Sequence, residues 1–244
     1  MARGGWKGRH AVLMLLLAIL VAAPAAMAAE ALVLLTEENP PYNFTDPATG
    51  RVAGITGELM ALVMARTGIA HRTEIVSWEE GYRRARAEPG TCVYSATMSG
   101  ERLPLFRWVT PLGDAHFAVF GTGRRKDISS LEELRGLRIG VQSNGPFERI
   151  LRDRGFEVAP MDKEQLFHAL ADGKVDAVAY GLRNGRWQAR TARVPVRVIM
   201  KMLAPTLGMA CHPATDPELL AKLNAALGDL HADGTAGRIL ARYE

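Results

Sequence analysis

The feature that most restricts the fold is a repeated exchange of short apolar strands for capped helices along one chain. ALVLLT (31–36) reads as a buried strand and runs into a Pro-rich turn, ENPPYNF. Gly54 to Gly68 follows, with Leu59, Leu62, Val63 and Arg66 at helical spacing and Gly68 as the stop. Ser77 and Glu80 form a capping box that opens a helix ending near Pro89, and TCVYSA (91–96) is the next strand. The same alternation continues through FAVFGT, then a capping box at Ser130 and Glu133 whose helix stops at Gly136, then RIGVQS (138–143). NGPFERILRDRG places Pro146 in a first helical turn, Asp162 with Gln165 opens a helix closed by Gly173, and VDAVAY and VRVIM (196–200) are strands. GMAC (208–211) resumes a strand, Asp216-Pro217 caps ELLAKLNAALGDLHADG, and TAGRILARY is a last short helix. Such alternation predicts α/β sheets with parallel neighbours. No internal repeat or low-complexity segment interrupts it.

The first residues belong to a different category. Arg3, Lys7 and Arg9 make a basic start, AVLMLLLAILVAA (11–23) an apolar core, and Ala26-Met27-Ala28 a small-x-small cleavage pattern. Together these predict an export signal over residues 1–28, cleaved after Ala28. The apolar core is short for a bilayer span of ~20 residues, and Pro24 follows it directly. The chain is therefore expected in the periplasm, as a monomer, with a length that suits one large domain or two small lobes.

Formal charge is +4 for the whole chain, and three of its basic residues leave with the signal. Basic clusters such as Arg83-Arg84-Arg86 alternate with acids, which reads as a solvated surface and not as a nucleic-acid face. Two cysteines, Cys92 and Cys211, travel to an oxidising compartment, where one disulfide or two buried thiols are both open.

Catalytic signatures are missing. The six histidines lack HExxH or CxxC-type ligand spacing, Ser143 in GVQSNG lacks the G-x-S-x-G frame, and there is no Walker loop and no GxGxxG after a strand. No metal or cofactor is expected. Polar residues gather instead at the C-terminal ends of the expected strands, the edge where open α/β sheets bind ligands. Ser95, Thr97 and Ser99 follow one strand, with Arg102 three residues on. Ser143, Asn144 and Gly145 join another strand to a helix start, where free N–H groups and the helix dipole attract an anion. Tyr180 ends a third strand.

In this order the segments resemble the periplasmic solute-binding proteins of the polar-amino-acid ABC-transporter type, the bacterial extracellular solute-binding protein family 3. The resemblance covers the chain beyond the signal. ENPPYNF resembles the family's Pro-aromatic opening, GITGELMALVMARTG its first helix, and SATMSGERLPLFRW its strand followed by T-x-x-R. RIGVQSNG resembles its anion loop, DGKVDAVAYG its G-x-V-D-A-V segment, and DPELLAKLNAALGDLHADGTAGRILARY its closing helices. The resemblance implies a two-lobed, type II periplasmic-binding-protein-like α/β fold, with two mixed sheets flanked by helices and joined by two hinge strands. Lobe 1 would hold 29–115 plus 208–244 and lobe 2 would hold 116–207.

It also implies roles. Arg102 would grip a ligand carboxylate through paired, charge-assisted hydrogen bonds, with Thr97, Ser95 and Ser99 beside it. Tyr42 and Trp78 would stack on the ligand. The loop Ser143-Asn144-Gly145 and Tyr180 would approach from the other lobe. Where the family places an aspartate for the ligand ammonium, this chain has Gly181, which leaves Glu38 and Asp114 as substitutes. In the implied fold the TCVYSA and GMAC strands lie side by side, so Cys92 could face Cys211. The expected function is a non-enzymatic receptor that delivers a small polar solute to a membrane permease complex. Alternatives are a cyclohexadienyl-dehydratase-like enzyme on the same fold and a soluble sensor component.

Overall fold

The computed structural model describes residues 31–123, 127–202 and 206–243. The export signal expected over residues 1–28 lies outside them. Among the described residues no helix is long and apolar enough to cross a membrane.

The chain builds one sheet, leaves it, builds a second and returns. The first run contains β1 (Leu32–Thr36), β2 (Phe44–Thr45), β3 (Val52–Ala53), α1 (Ile55–Thr67), β4 (His71–Ile75), α2 (Trp78–Ala87), β5 (Thr91–Thr97) and β6 (Arg107–Asp114). The second contains β7 (Phe117–Gly121), β8 (Ile139–Gln142), α3 (Pro146–Asp153), β9 (Val158–Met161), α4 (Leu166–Ala171), β10 (Ala177–Gly181), α5 (Leu182–Thr191) and β11 (Arg197–Met202). The chain then adds β12 (Thr206–Cys211) and the closing helices α6 (Pro217–Ala232) and α7 (Thr235–Arg242).

The sheet orders are β4-β1-β5-β12-β6 and β11-β7-β10-β8-β9, so β12 returns to the first sheet. Both are mixed. β1 runs parallel to β4 and β5, while β12 is antiparallel to β5 and β6. In the second sheet β8 is parallel to β9 and β10, and β7 is antiparallel to β10 and β11. The fold is the expected two-lobed α/β arrangement.

Local chemistry explains the boundaries. Glycine at position 68 accepts the left-handed φ of 66° that ends α1. Ser77 caps α2 by accepting the Glu80 N–H, and Asp216 caps α6 by accepting the Glu218 N–H. The capping box at Ser130 and Glu133 forms as expected, but it opens a 3-10 turn, Leu131–Leu134, and not an α-helix. Only five residues separate that serine from Gly136, too few to propagate an α-helix.

Each sheet buries both faces. In lobe 1, β1 is buried throughout, and Leu59, Met60, Val63 and Met64 of α1 pack with Leu223 and Leu227 of α6 on one face. Full burial of side chains this size stabilises by about 1.5–3 kcal/mol each. Val33, Leu35, Ala85, Val93 and Phe106 fill the other face under α2. Lobe 2 repeats this with Phe120, Phe167 and Val178 on one face and Ile139, Val141, Phe147 and Leu151 on the other. Cys92 and Cys211 are direct partners in the β5–β12 register and form a disulfide. Of the two outcomes open in the sequence, the bridge is the one present.

Candidate functional site

The C-terminal ends of β1 and β5 point toward those of β9 and β10, and polar side chains meet between them. Arg102 is the clearest. A turn fixes its backbone, because the N–H groups of Arg102 and Leu103 both donate to Ser99 O at 2.9 Å. Its guanidinium donates from Nη1 to Thr97 O at 3.4 Å and lies over the rings of Trp78 at 4.8 Å and Tyr82 at 5.6 Å. The neighbouring Glu101 does not pair with it, and no described carboxylate does. The cation is therefore held over aromatics with donors left over for another molecule.

Opposite charge arrives from Glu37, directly after β1. Burial raises its carboxyl above the usual range, the Lys163 ammonium pulls it down, Glu79 raises it and Arg102 pulls it down. No described side chain hydrogen-bonds that carboxylate. Tyr180, at the end of β10, is raised by burial, by Glu164 and by Glu37, which places its phenol in the same field. Lys163 reaches across from the second lobe, with Nζ 3.5 Å from Glu38 O and 4.0 Å from Glu164 Oε1. A permanent cation on an aromatic shelf, a half-buried carboxylate without a hydrogen-bonding side chain and the Lys163 ammonium thus share one cleft.

Several expected contacts stand elsewhere. Tyr42 is only 4% exposed and belongs to the lobe 1 core. The turn folds back on itself, Tyr42 N donating to Asn39 O, and this drives the ring inward until its hydroxyl donates to Asp114 O at 3.0 Å. It does not present a stacking face to the cleft. Ser95, at φ 62°, directs its hydroxyl to Asn43 and, at 2.6 Å, to Thr56 inside lobe 1. Thr97 and Ser99 act through their carbonyls, which position Arg102.

The expected anion loop is already satisfied. Ser143 N donates to Met161 O at 2.9 Å, Asn144 N to Glu148 Oε2 at 2.7 Å and Gly145 N to Gln142 O at 3.0 Å. Pro146 contributes no N–H. Glu148, in the first turn of α3, supplies the anion that the helix dipole attracts. The substitutes for the missing aspartate also fail. Glu38 accepts from Thr45 N at 3.0 Å, and Asp114 is exposed, with only its carbonyl engaged. Glu37 and Lys163 are the charged groups that the strand ends bring together there. Glu37 could have been found from its place at a strand end, but Lys163 follows β9, which has no strand signal in sequence.

At the level of sequence alone, no curated protein matches the chain. A family model described as bacterial extracellular solute-binding proteins, family 3, matches residues 32–244. A histidine kinase sensor domain similar to periplasmic binding proteins superimposes with a TM-score of 0.72 at 22% identity, over 88% of this chain and 96% of that one. An arginine transport periplasmic binding protein from Legionella pneumophila gives 0.68 at 20% identity, over 88% and 99%. An ancestral amino-acid-binding protein, a precursor of cyclohexadienyl dehydratase, gives 0.71 at 20% identity, over 87% and 95%. At such identities these structures establish the fold.

Proposed function

This chain belongs to the bacterial extracellular solute-binding proteins, family 3, and from that premise we propose that it is an exported, monomeric receptor that closes on a small polar solute. The solute carries a carboxylate for Arg102 and a cationic group for Glu37, with Trp78 as the stacking shelf. Delivery to a membrane permease complex is the role that follows; nucleic acid and catalysis have none. The lobes are read as 29–115 with 208–244, and 116–207, because β6 ends at Asp114, β7 begins at Phe117 and β12 rejoins the first sheet.

One observation carries the reading: Arg102 lies over Trp78 with no described carboxylate paired to it, near a half-buried Glu37 whose carboxylate accepts no hydrogen bond from a described side chain. A carboxylate and an ammonium on one ligand would satisfy both. Micromolar binding needs about −8 kcal/mol in total, within reach of two charge-assisted contacts and a stack. The test is a thermal-shift screen of amino acids, dicarboxylates and polyamines on the mature protein. Zwitterionic amino acids are expected to raise the melting temperature. Stabilisation by dicarboxylates alone, or by none of the three classes, rejects the paired-charge ligand.

A dehydratase is the second reading, favoured by the raised carboxyl of Glu37, which suits a proton donor, and by the likeness to the dehydratase precursor. Incubation with prephenate or arogenate is expected to give no product. Turnover lost in Glu37→Gln would establish the enzyme instead.

A further inference from the structure

We infer that Asn184 is a closure-determining residue, a clasp by which lobe 2 grips lobe 1 directly. β10 ends at Gly181, which is also the residue before α5. A Cβ at Gly181 would lie 2.6 Å from Asn184 Oδ1, closer than side-chain atoms approach one another. The bare glycine is what lets the Asn184 amide fold back over the strand end.

That amide is pinned. Its Nδ2 donates to Asn39 Oδ1 at 2.7 Å and to Pro40 O at 2.8 Å, both in the lobe 1 turn after β1. A proline carbonyl only accepts, so the nitrogen must face the turn and both its hydrogens are in use. A side chain at position 181 cannot be accommodated by a harmless rotation of Asn184; moving the amide breaks two interlobe bonds.

The rest of α5 follows the same course. Arg183 Nη1 donates to Asp114 O at 3.1 Å, the carbonyl that also takes the Tyr42 hydroxyl. Trp187 packs on Phe44 at 5.5 Å between ring centres, and Arg190 Nη2 donates to Tyr243 O at 3.1 Å. One helix of lobe 2 is thus seated along the lobe 1 turn and the C-terminal segment. Ammonium recognition is left to Glu37 on lobe 1, and lobe 2 recognises lobe 1. Closure then needs no ligand to bridge the halves, and a receptor populated in its closed form binds with little loss to reorganisation.

The clasp regulates the proposed cleft and so rests on the reading of the chain as a closing receptor. Its test uses no ligand, so the two can fail separately. Spin labels at the exposed positions Ala48 and Arg154, one per lobe, report the interlobe distance in the ligand-free, disulfide-intact mature protein. Wild type is expected to show one dominant short distance. Asn184→Ala and Gly181→Asp are each expected to lower the closed-to-open ratio roughly tenfold, the loss of about one net hydrogen bond or more. Should Asn184→Ala fail to fold, Gly181→Ala carries the test, since it removes no hydrogen-bonding group and acts only through the Asn184 amide. A wild type already open without ligand overturns the clasp, as does a distance distribution unchanged in every folded variant.

Discussion

Both lobes end their central strands in polar residues at the same cleft, but they use those residues differently. In lobe 1 the strand ends keep charge available: Arg102 rests on Trp78 without a described acid, and Glu37 is half-buried without a described hydrogen-bond donor to its carboxylate. In lobe 2 the comparable positions are satisfied by other protein groups. Glu148 caps the loop at Asn144, and Asn184 reaches over to Asn39 and Pro40. Lobe 1 carries more acidic than basic residues and lobe 2 the reverse, which adds a long-range pull between them. The same fold can therefore divide labour, with one half reading the solute and the other reading its partner half.

The largest expected effect probes whether lobe 1 stands on its own. Replacing Cys92 and Cys211 by serine opens a loop of 119 residues and should cost about 4 kcal/mol in guanidinium unfolding. Hydrogen exchange should speed up in lobe 1 far more than in lobe 2; equal loss in both would mean the halves are not separate units.

Next in size is Arg102→Ala, expected to weaken binding of any solute found in the screen about 100-fold, near 3 kcal/mol for a hydrogen-bonded charge. Undiminished affinity would remove lobe 1 from recognition.

Glu37→Gln follows, with about a tenfold loss for a cationic solute. Its folded carboxyl titrates above the unfolded one, so the native state holds the proton more tightly and stability falls as pH rises from the ordinary glutamate value of 4.5 through the raised one. The glutamine variant should flatten that fall and be the more stable ligand-free protein above it. Solute affinity of the wild type should weaken as pH drops through the same window, read by calorimetry. A pH profile identical in both proteins would exclude Glu37.

Least of all, Ser143→Ala should change affinity by less than about 0.5 kcal/mol, because the loop's bond runs through the backbone to Met161 O. A loss as large as that of Arg102→Ala would restore lobe 2 as the anion site.

The sequence made lobe 1 more legible than lobe 2 for physical reasons. β1, β5 and α1 are apolar runs bounded by caps and glycine, and they appear within a residue or two of expectation. β4 reads HRTEI and lies at a sheet edge with three exposed residues, so neither apolar run nor alternation marks it. β9, also an edge, contains Pro160 and is four residues long. α5 carries three arginines and a central glycine, with too few apolar residues for a stripe, although Arg183, Asn184, Trp187 and Arg190 on it all reach lobe 1. Arg102 and Trp78 could be singled out as candidates because residue type at a strand end or helix start marks them. The contact set of Ser143 to Gly145 was not, because whether an amide is free depends on Glu148 folding back onto it.

The bridge between Cys92 and Cys211 joins the outgoing and returning segments of lobe 1, on either side of everything that forms lobe 2. Lobe 2 is in effect an insertion hung from a covalently sealed frame. A protease that nicks the inserted portion would leave two fragments still tied together, migrating as one species until a reductant separates them.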